Sequence, residues 1–261
     1  MTLTTSMIES AFGTYFWPFV RIAALLMVAP VFSASMVAPQ VRIIIAVALT
    51  LIVAPLLPPP VAVDPLSLRG AVLTIQQLLI GVAMGLALQM VFDALIVAGQ
   101  AMAMSMGLGF AVAIDPQRGV NVPVVSQYFV MLATLVFLAL NGHLLIVQAL
   151  FDSFTTLPVG SGSLSRDGAW QLVSWGSEMF KGAVSIALPA MVALLMVNLS
   201  FGVISRAAPT LNLFAVGFPI TMTLGFLIMN VTLPSAVQTF VELLDGAFLN
   251  ATTILTSGAT P

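Results

Sequence analysis

The sequence predicts an all-α, polytopic membrane protein made of long apolar helices, and three features carry that prediction. Residues of the AVILMFWYC group make up 60% of the chain and charged residues only 6%, where soluble domains carry about a quarter charged residues. Uncharged runs extend over 43–63, 70–92, 94–114, 119–151, 182–205 and 207–241, each at or beyond the roughly 18–20 residues that cross a hydrocarbon core of about 30 Å. The breaks between runs are rich in proline and glycine, which punctuate helices by steric means and need no charge to do so.

Taken in order, the first run, 11–32, holds a single charge, Arg21. "APVFSASMVAPQVR" (29–42) separates it from the second. "PLLPPPVAVDPLSLR" (55–69) follows, and its three consecutive prolines cannot continue a helix. The runs 70–92 and 94–114 are interrupted only by Asp93, which reads as a partnered intramembrane acid or, in preference, as the turn of a helical hairpin, since each flanking run is long enough to be a helix. "LPVGSGSLSRDG" (157–168) is the longest polar stretch. "SRDGAWQLVSWGSEMFKG" then predicts a short helix with Ser165 as N-cap, and Trp170 and Trp175 near Lys181 suit a membrane-interface belt. The final run exceeds one crossing, so the lengths suggest about six spans or tightly packed hairpins. Arg42 and Arg69 fall in successive breaks, and no basic cluster fixes orientation.

Bulk features exclude several functions. There is no cysteine for a disulfide or thiolate site. A net charge of −2 offers no patch for nucleic acid. No basic residue precedes Arg21, so the first run is expected to remain rather than serve as a cleaved signal. His143 is the sole histidine and stands without nearby carboxylates, which predicts a hydrogen-bonded packing role and neither a metal site nor a triad. The carboxylates are isolated and no phosphate-binding loop occurs, so the chain reads as neither an enzyme nor a cofactor binder. Arg21 either faces protein or a cavity, or snorkels to the headgroups. "GVAMG" (81–85) has the spacing that lets helix backbones approach. Asn198, Asn212 and Asn230 are expected to bond between helices, as buried amides must.

Two stretches go beyond "membrane protein". "GLGFAVAIDPQRGVNVP" (107–123) follows "AMAMSMG", and "RAAPTLNLFAVGFPI" (206–220) follows a long apolar run. With "YFWPFVRIAALLMVAPVFS" and "LALNGHLLIVQALFDSF", they make the chain resemble the FliR family of the type III export gate over nearly its whole length. Residues 1–261 then read as one integral export-gate domain.

The resemblance implies a helical channel shared with FliP-like and FliQ-like subunits, in the bacterial inner membrane at the flagellar basal body, with part of the assembly on the periplasmic side. It implies unfolded flagellar proteins as substrates, FlhA-like and FlhB-like proteins as partners, contact with membrane lipid and no nucleic acid. By position, Gly107, Leu108, Gly109, Phe110, Ala111, Val112, Ile114, Asp115 and Pro116 match a loop that plugs the lumen. Such non-helical backbone is tolerated at depth where it is buried in protein or lines water. Flexible Met102, Met104 and Met106 suit a loose seal around varied side chains. Arg206, Pro209, Asn212, Phe214 and Pro219 carry the family signature and are assigned to subunit packing. Two alternatives stay open: an injectisome paralogue with the same chemistry, and a small-molecule or ion transporter using paired intramembrane charges such as Arg21 and Asp93.

Overall fold

The computed structural model describes residues 5–34, 37–58, 63–64, 67–108, 124–207 and 213–257, with backbone alone at 5–11 and 213–216. These residues form seven α-helices: α1 (Thr5–Val28), α2 (Pro39–Val53), α3 (Leu68–Ser105), α4 (Val124–Ala139), α5 (Gly142–Thr156), α6 (Arg166–Ala207) and α7 (Leu213–Thr256). A 3₁₀ turn, Ala54–Leu56, ends α2. The all-α class of long apolar helices is as the composition predicts.

Local chemistry explains the helix ends. Pro39 opens α2 at a position where its missing N–H costs nothing. Ser67 and Ser165 cap α3 and α6, each hydroxyl accepting the N–H three residues on (Gly70 at 3.1 Å, Gly168 at 2.9 Å). Ser165 is thus the predicted N-cap, but its helix is the first part of the 42-residue α6 and not a short interfacial piece.

Asp93 also departs from expectation. It lies inside the unbroken 38-residue α3, so no hairpin turns there. The flanking Phe92, Ala94 and Leu95 are buried, and no proline or glycine adjoins the acid. One Asp costs well under about 1 kcal/mol in a helix, too little to break one held by packing on both sides. Arg42 and Arg69 are likewise helical, at the starts of α2 and α3.

At 1.5 Å per residue, α3, α6 and α7 are about 57, 63 and 66 Å long, roughly twice a hydrocarbon core. Among the described residues four helices are long and apolar enough to cross a membrane, or five if α4 and α5 count as one broken span. The runs thus merge and break differently from the estimate of six. Charge-free length cannot separate one long helix from two short ones.

The chain divides into two compact units. Unit 1 comprises Met1–Met90, Leu140–Gly176 and Leu244–Pro261. In it α1 and α3 run parallel: Trp17 Nε1 donates to Thr74 Oγ1 (3.3 Å), and Gly81 and Gly85 receive the backbone of α1 between Arg21 and Ala29. The "GVAMG" spacing therefore marks a true close approach. A Cβ at 85 would lie 2.9 Å from Val28 Cβ and 3.2 Å from the Leu25 carbonyl. The start of α6 lies antiparallel to the end of α7, Gly168 against Ser257 and Trp175 against Gly246. Trp175 donates Nε1 to the Ala87 carbonyl at 3.1 Å and so packs inside this unit, whereas Trp170 is 72% exposed. Only Trp170 fits the expected interface belt.

Unit 2 comprises Val91–Ala139 and Ser177–Leu243. Here α3 and α4 pack antiparallel with Gly99 against Ser126, whose hydroxyl donates to the Ile96 carbonyl at 3.0 Å. Phe92 sets its ring edge-on to Phe137 (5.7 Å) and Phe240 (5.5 Å), a favoured aromatic geometry. Asn198 and Asn230 are exposed and not buried as expected. Asn198 nonetheless donates Nδ2 to the Ser105 carbonyl at 3.5 Å, the bond between helices expected of it, and Asn212 lies outside the described residues.

Candidate functional site

Two places concentrate polar or special backbone chemistry, one in each unit. In unit 1 it is Arg21, which is fully buried. Its Nε donates to Gln77 Oε1 at 2.8 Å, Nη1 to the Ser153 carbonyl (2.9 Å) and Oγ (3.2 Å), and Nη2 to the Leu157 carbonyl at 2.9 Å. The guanidinium also sits 4.3 Å from the centre of the Phe154 ring, a cation–π distance. Of the two sequence readings of Arg21, it is the one facing protein that holds.

These acceptors are neutral, and the reason the charge is tolerable lies in where they come from. Ser153 is in the last turn of α5 and Leu157 is the residue just past it. The end of a helix presents unpaired carbonyls and the negative pole of its dipole. Arg21 caps that pole. Its geometry joins α1, α3 and α5, because Gln77, Gly81 and Gly85 follow one another at intervals of four along one face of α3. Gln77 Nε2 is buried without a hydrogen-bond partner. The sequence reading missed Gln77 and Ser153; the four-residue spacing was the available signal.

Arg42 plays a comparable part between α1 and α2. Its Nη2 donates to the carbonyls of Ser33 (3.0 Å), Ala34 (2.8 Å) and Val37 (3.0 Å). Two of the seven basic residues are therefore spent on backbone carbonyls, which explains why counting basic residues gave no orientation. His143 is half-buried in the first turn of α5, and its Nδ1 has no hydrogen-bond partner. Among the described residues no group of three His, Cys, Asp or Glu could hold a metal ion.

The second place, in unit 2, is the end of α3. Gly107 has φ +83°, its N–H donates to the Met104 carbonyl (3.1 Å), and the Leu108 N–H donates to the Ala103 carbonyl (3.0 Å). This pair of bonds around a left-handed glycine is a Schellman helix stop. Gly107 thus ends a helix at the head of the predicted plug. Gly109, Phe110, Ala111, Val112, Ile114, Asp115 and Pro116 lie outside the described residues.

The three methionines expected to form one seal separate. Met102 and Met106 are 1% exposed and belong to the core of unit 2, while Met104 is 62% exposed. Spacing explains it: on a helix, residues two apart face opposite ways, whereas 102 and 106 share a face. Met106 lies across Gly225 of α7, its carbonyl accepts from Thr221 Oγ1 at 3.4 Å, and the Phe218 ring covers Gly107. Phe218, Thr221 and Gly225 recur at i, i+3 and i+7, a helical-face signal that the sequence reading passed over. Of the signature residues, Arg206 is exposed in the last turn of α6 and Pro219 is exposed within α7. Pro209 and Asn212 lie outside the described residues, as does the side chain of Phe214.

Comparison with known proteins places this geometry in context. The family described as bacterial export proteins, family 1, matches residues 12–247. The chain is 42% identical over 221 residues to the flagellar biosynthetic protein FliR of Pectobacterium carotovorum, covering 84% of each. It is 38% identical over 234 residues to that of Escherichia coli K12, covering 90% of this chain and 89% of the relative. With the FliR of Aquifex aeolicus it shares 33% over 215 residues, 82% of this chain and 83% of the relative.

Proposed function

The chain belongs to the FliR family of bacterial export proteins, and we propose that it forms part of the wall of the flagellar protein export channel in the inner membrane and carries its luminal plug. FliP-like and FliQ-like subunits complete that wall, FlhA-like and FlhB-like proteins deliver to it, and unfolded flagellar subunits pass through. The observation that carries the reading is uncovered apolar length. Only 22% of the most apolar window of α6, and of α7, is buried within the chain. Exposed apolar area of this extent needs other subunits or lipid against it.

The plug is assigned to 107–120. A 38-residue apolar helix is brought to a deliberate stop at Gly107, at the head of a stretch holding further glycine, Asp-Pro and Arg-Gly. Proteins of varied sequence need a passage without a specific polar pocket, and a movable apolar constriction provides that. Removing 107–120 should increase ion leakage through the assembled gate; conductance equal to wild type would remove the plug from this account. The signature residues Arg206, Pro209, Asn212, Phe214 and Pro219 are assigned to packing between subunits.

The transporter alternative needs intramembrane charges free to meet a solute, and Arg21 is instead committed to the end of α5. The relatives compared are flagellar proteins, which favours the flagellar over the injectisome role. Loss of swimming on deletion, with no loss of effector secretion, is the expected result.

A further inference from the structure

We infer that Phe218, Thr221 and Gly225 of α7 are positioning residues for the plug: they form a socket that holds the last turn of α3 and so fixes where the stretch after Leu108 begins. The inference rests on the plug reading above. The contacts converge on Met106 and Gly107, the two residues before Leu108.

The side chain of Met106 lies lengthwise against Gly225. A Cβ at 225 would stand 2.5 Å from Met106 Cγ, 2.7 Å from Cε and 2.9 Å from Sδ, so alanine there would push the Met106 side chain out of this position. The Thr221 hydroxyl spans the Phe218 carbonyl at 3.0 Å and the Met106 carbonyl at 3.4 Å. On the far side of the stop, two Phe218 ring carbons lie 3.4 and 3.6 Å from where a Gly107 Cβ would be. α7 therefore grips α3 by side chain, carbonyl and turn together. A Schellman stop sets the direction in which a chain departs, but sets its position only if the helix end is itself held. A constriction that must yield to a passing chain and then return needs such a fixed root. Gly202, in the same unit, has open space where its Cβ would be and provides a control.

The test uses the gate assembled with its partner subunits, with membrane ion leak, swimming and yield of purified complex measured for each variant. G225A should raise leak several-fold at normal complex yield, and the double variant G225A/M106A, which frees the space taken by the new methyl, should return toward wild type. T221V and M106A, which add no side chain across the notch, should each leak by a smaller amount. A G225A gate no leakier than G202A, or one whose leak M106A does not relieve, would overturn the socket. If G225A lowers complex yield, T221V and M106A carry the test, and wild-type leak in both overturns it. Removal of 107–120 is measured in parallel. A leaky deletion beside a tight G225A refutes the socket alone, whereas a tight deletion refutes the plug reading and the socket with it.

Discussion

Arg21 Nη2 donates to the Leu157 carbonyl at 2.9 Å, so a buried cation closes the negative end of α5 from a helix 136 positions away in sequence. A charge at such depth is costly unless its own donors find acceptors. Here the cation and the helix end satisfy one another, and Gln77 and Phe154 complete the enclosure.

Substituting Arg21→Ala should therefore leave the Leu157 carbonyl and Gln77 Oε1 without this donor, at about 1–3 kcal/mol for each buried group left unsatisfied. Arg21→Lys should recover little, because an ammonium cannot spread its donors over three partners as a planar fork does. Thermal unfolding of the purified gate complex is the measurement. A wild-type midpoint for R21A would show that Arg21 is not structural.

The glycines of α3 and α6 should respond in opposite ways. Gly85→Ala places a methyl against Val28 and the Leu25 carbonyl and should cost about 1–3 kcal/mol through overpacking. Gly176→Ala meets nothing within 4 Å and should be neutral or stabilising by up to about 1 kcal/mol, since alanine is the better helix former. Equal effects of the two substitutions on complex stability would contradict the packing of α1 on α3.

Continuity of α3 through Asp93 can be read by labelling, since the chain has no cysteine of its own. In the detergent-solubilised chain, a polar maleimide should label a cysteine replacing Met104, which is exposed, and spare one replacing Ala94 or Ala98, which are fully buried. Strong labelling at 94 would restore the hairpin turn.

Trp175→Phe should lose the hydrogen bond to the Ala87 carbonyl, worth about 1 kcal/mol. Trp170→Phe, at an exposed position, should stay within about 0.5 kcal/mol of wild type. Comparing the two melting curves separates a tryptophan that packs from one that is exposed.

Composition alone was sufficient for the class of this protein. Apolar runs free of charge can only be solvated by lipid or other protein, and proline stands near the ends of α1 and α2, at Pro30 and at Pro55 and Pro58, although Pro18, Pro189, Pro219 and Pro234 lie within helices. Ser165 as a cap and Gly81 with Gly85 as a contact were legible because capping and close approach depend on one residue type at one spacing. The rest turned on partners distant in sequence. Whether Asp93 turned the chain, whether Arg21 reached headgroups or the end of α5, and which methionines shared a face with Gly225 were decided by tertiary packing. A charge or a flexible side chain carries no address in its own neighbourhood; its energy depends on what another helix places against it.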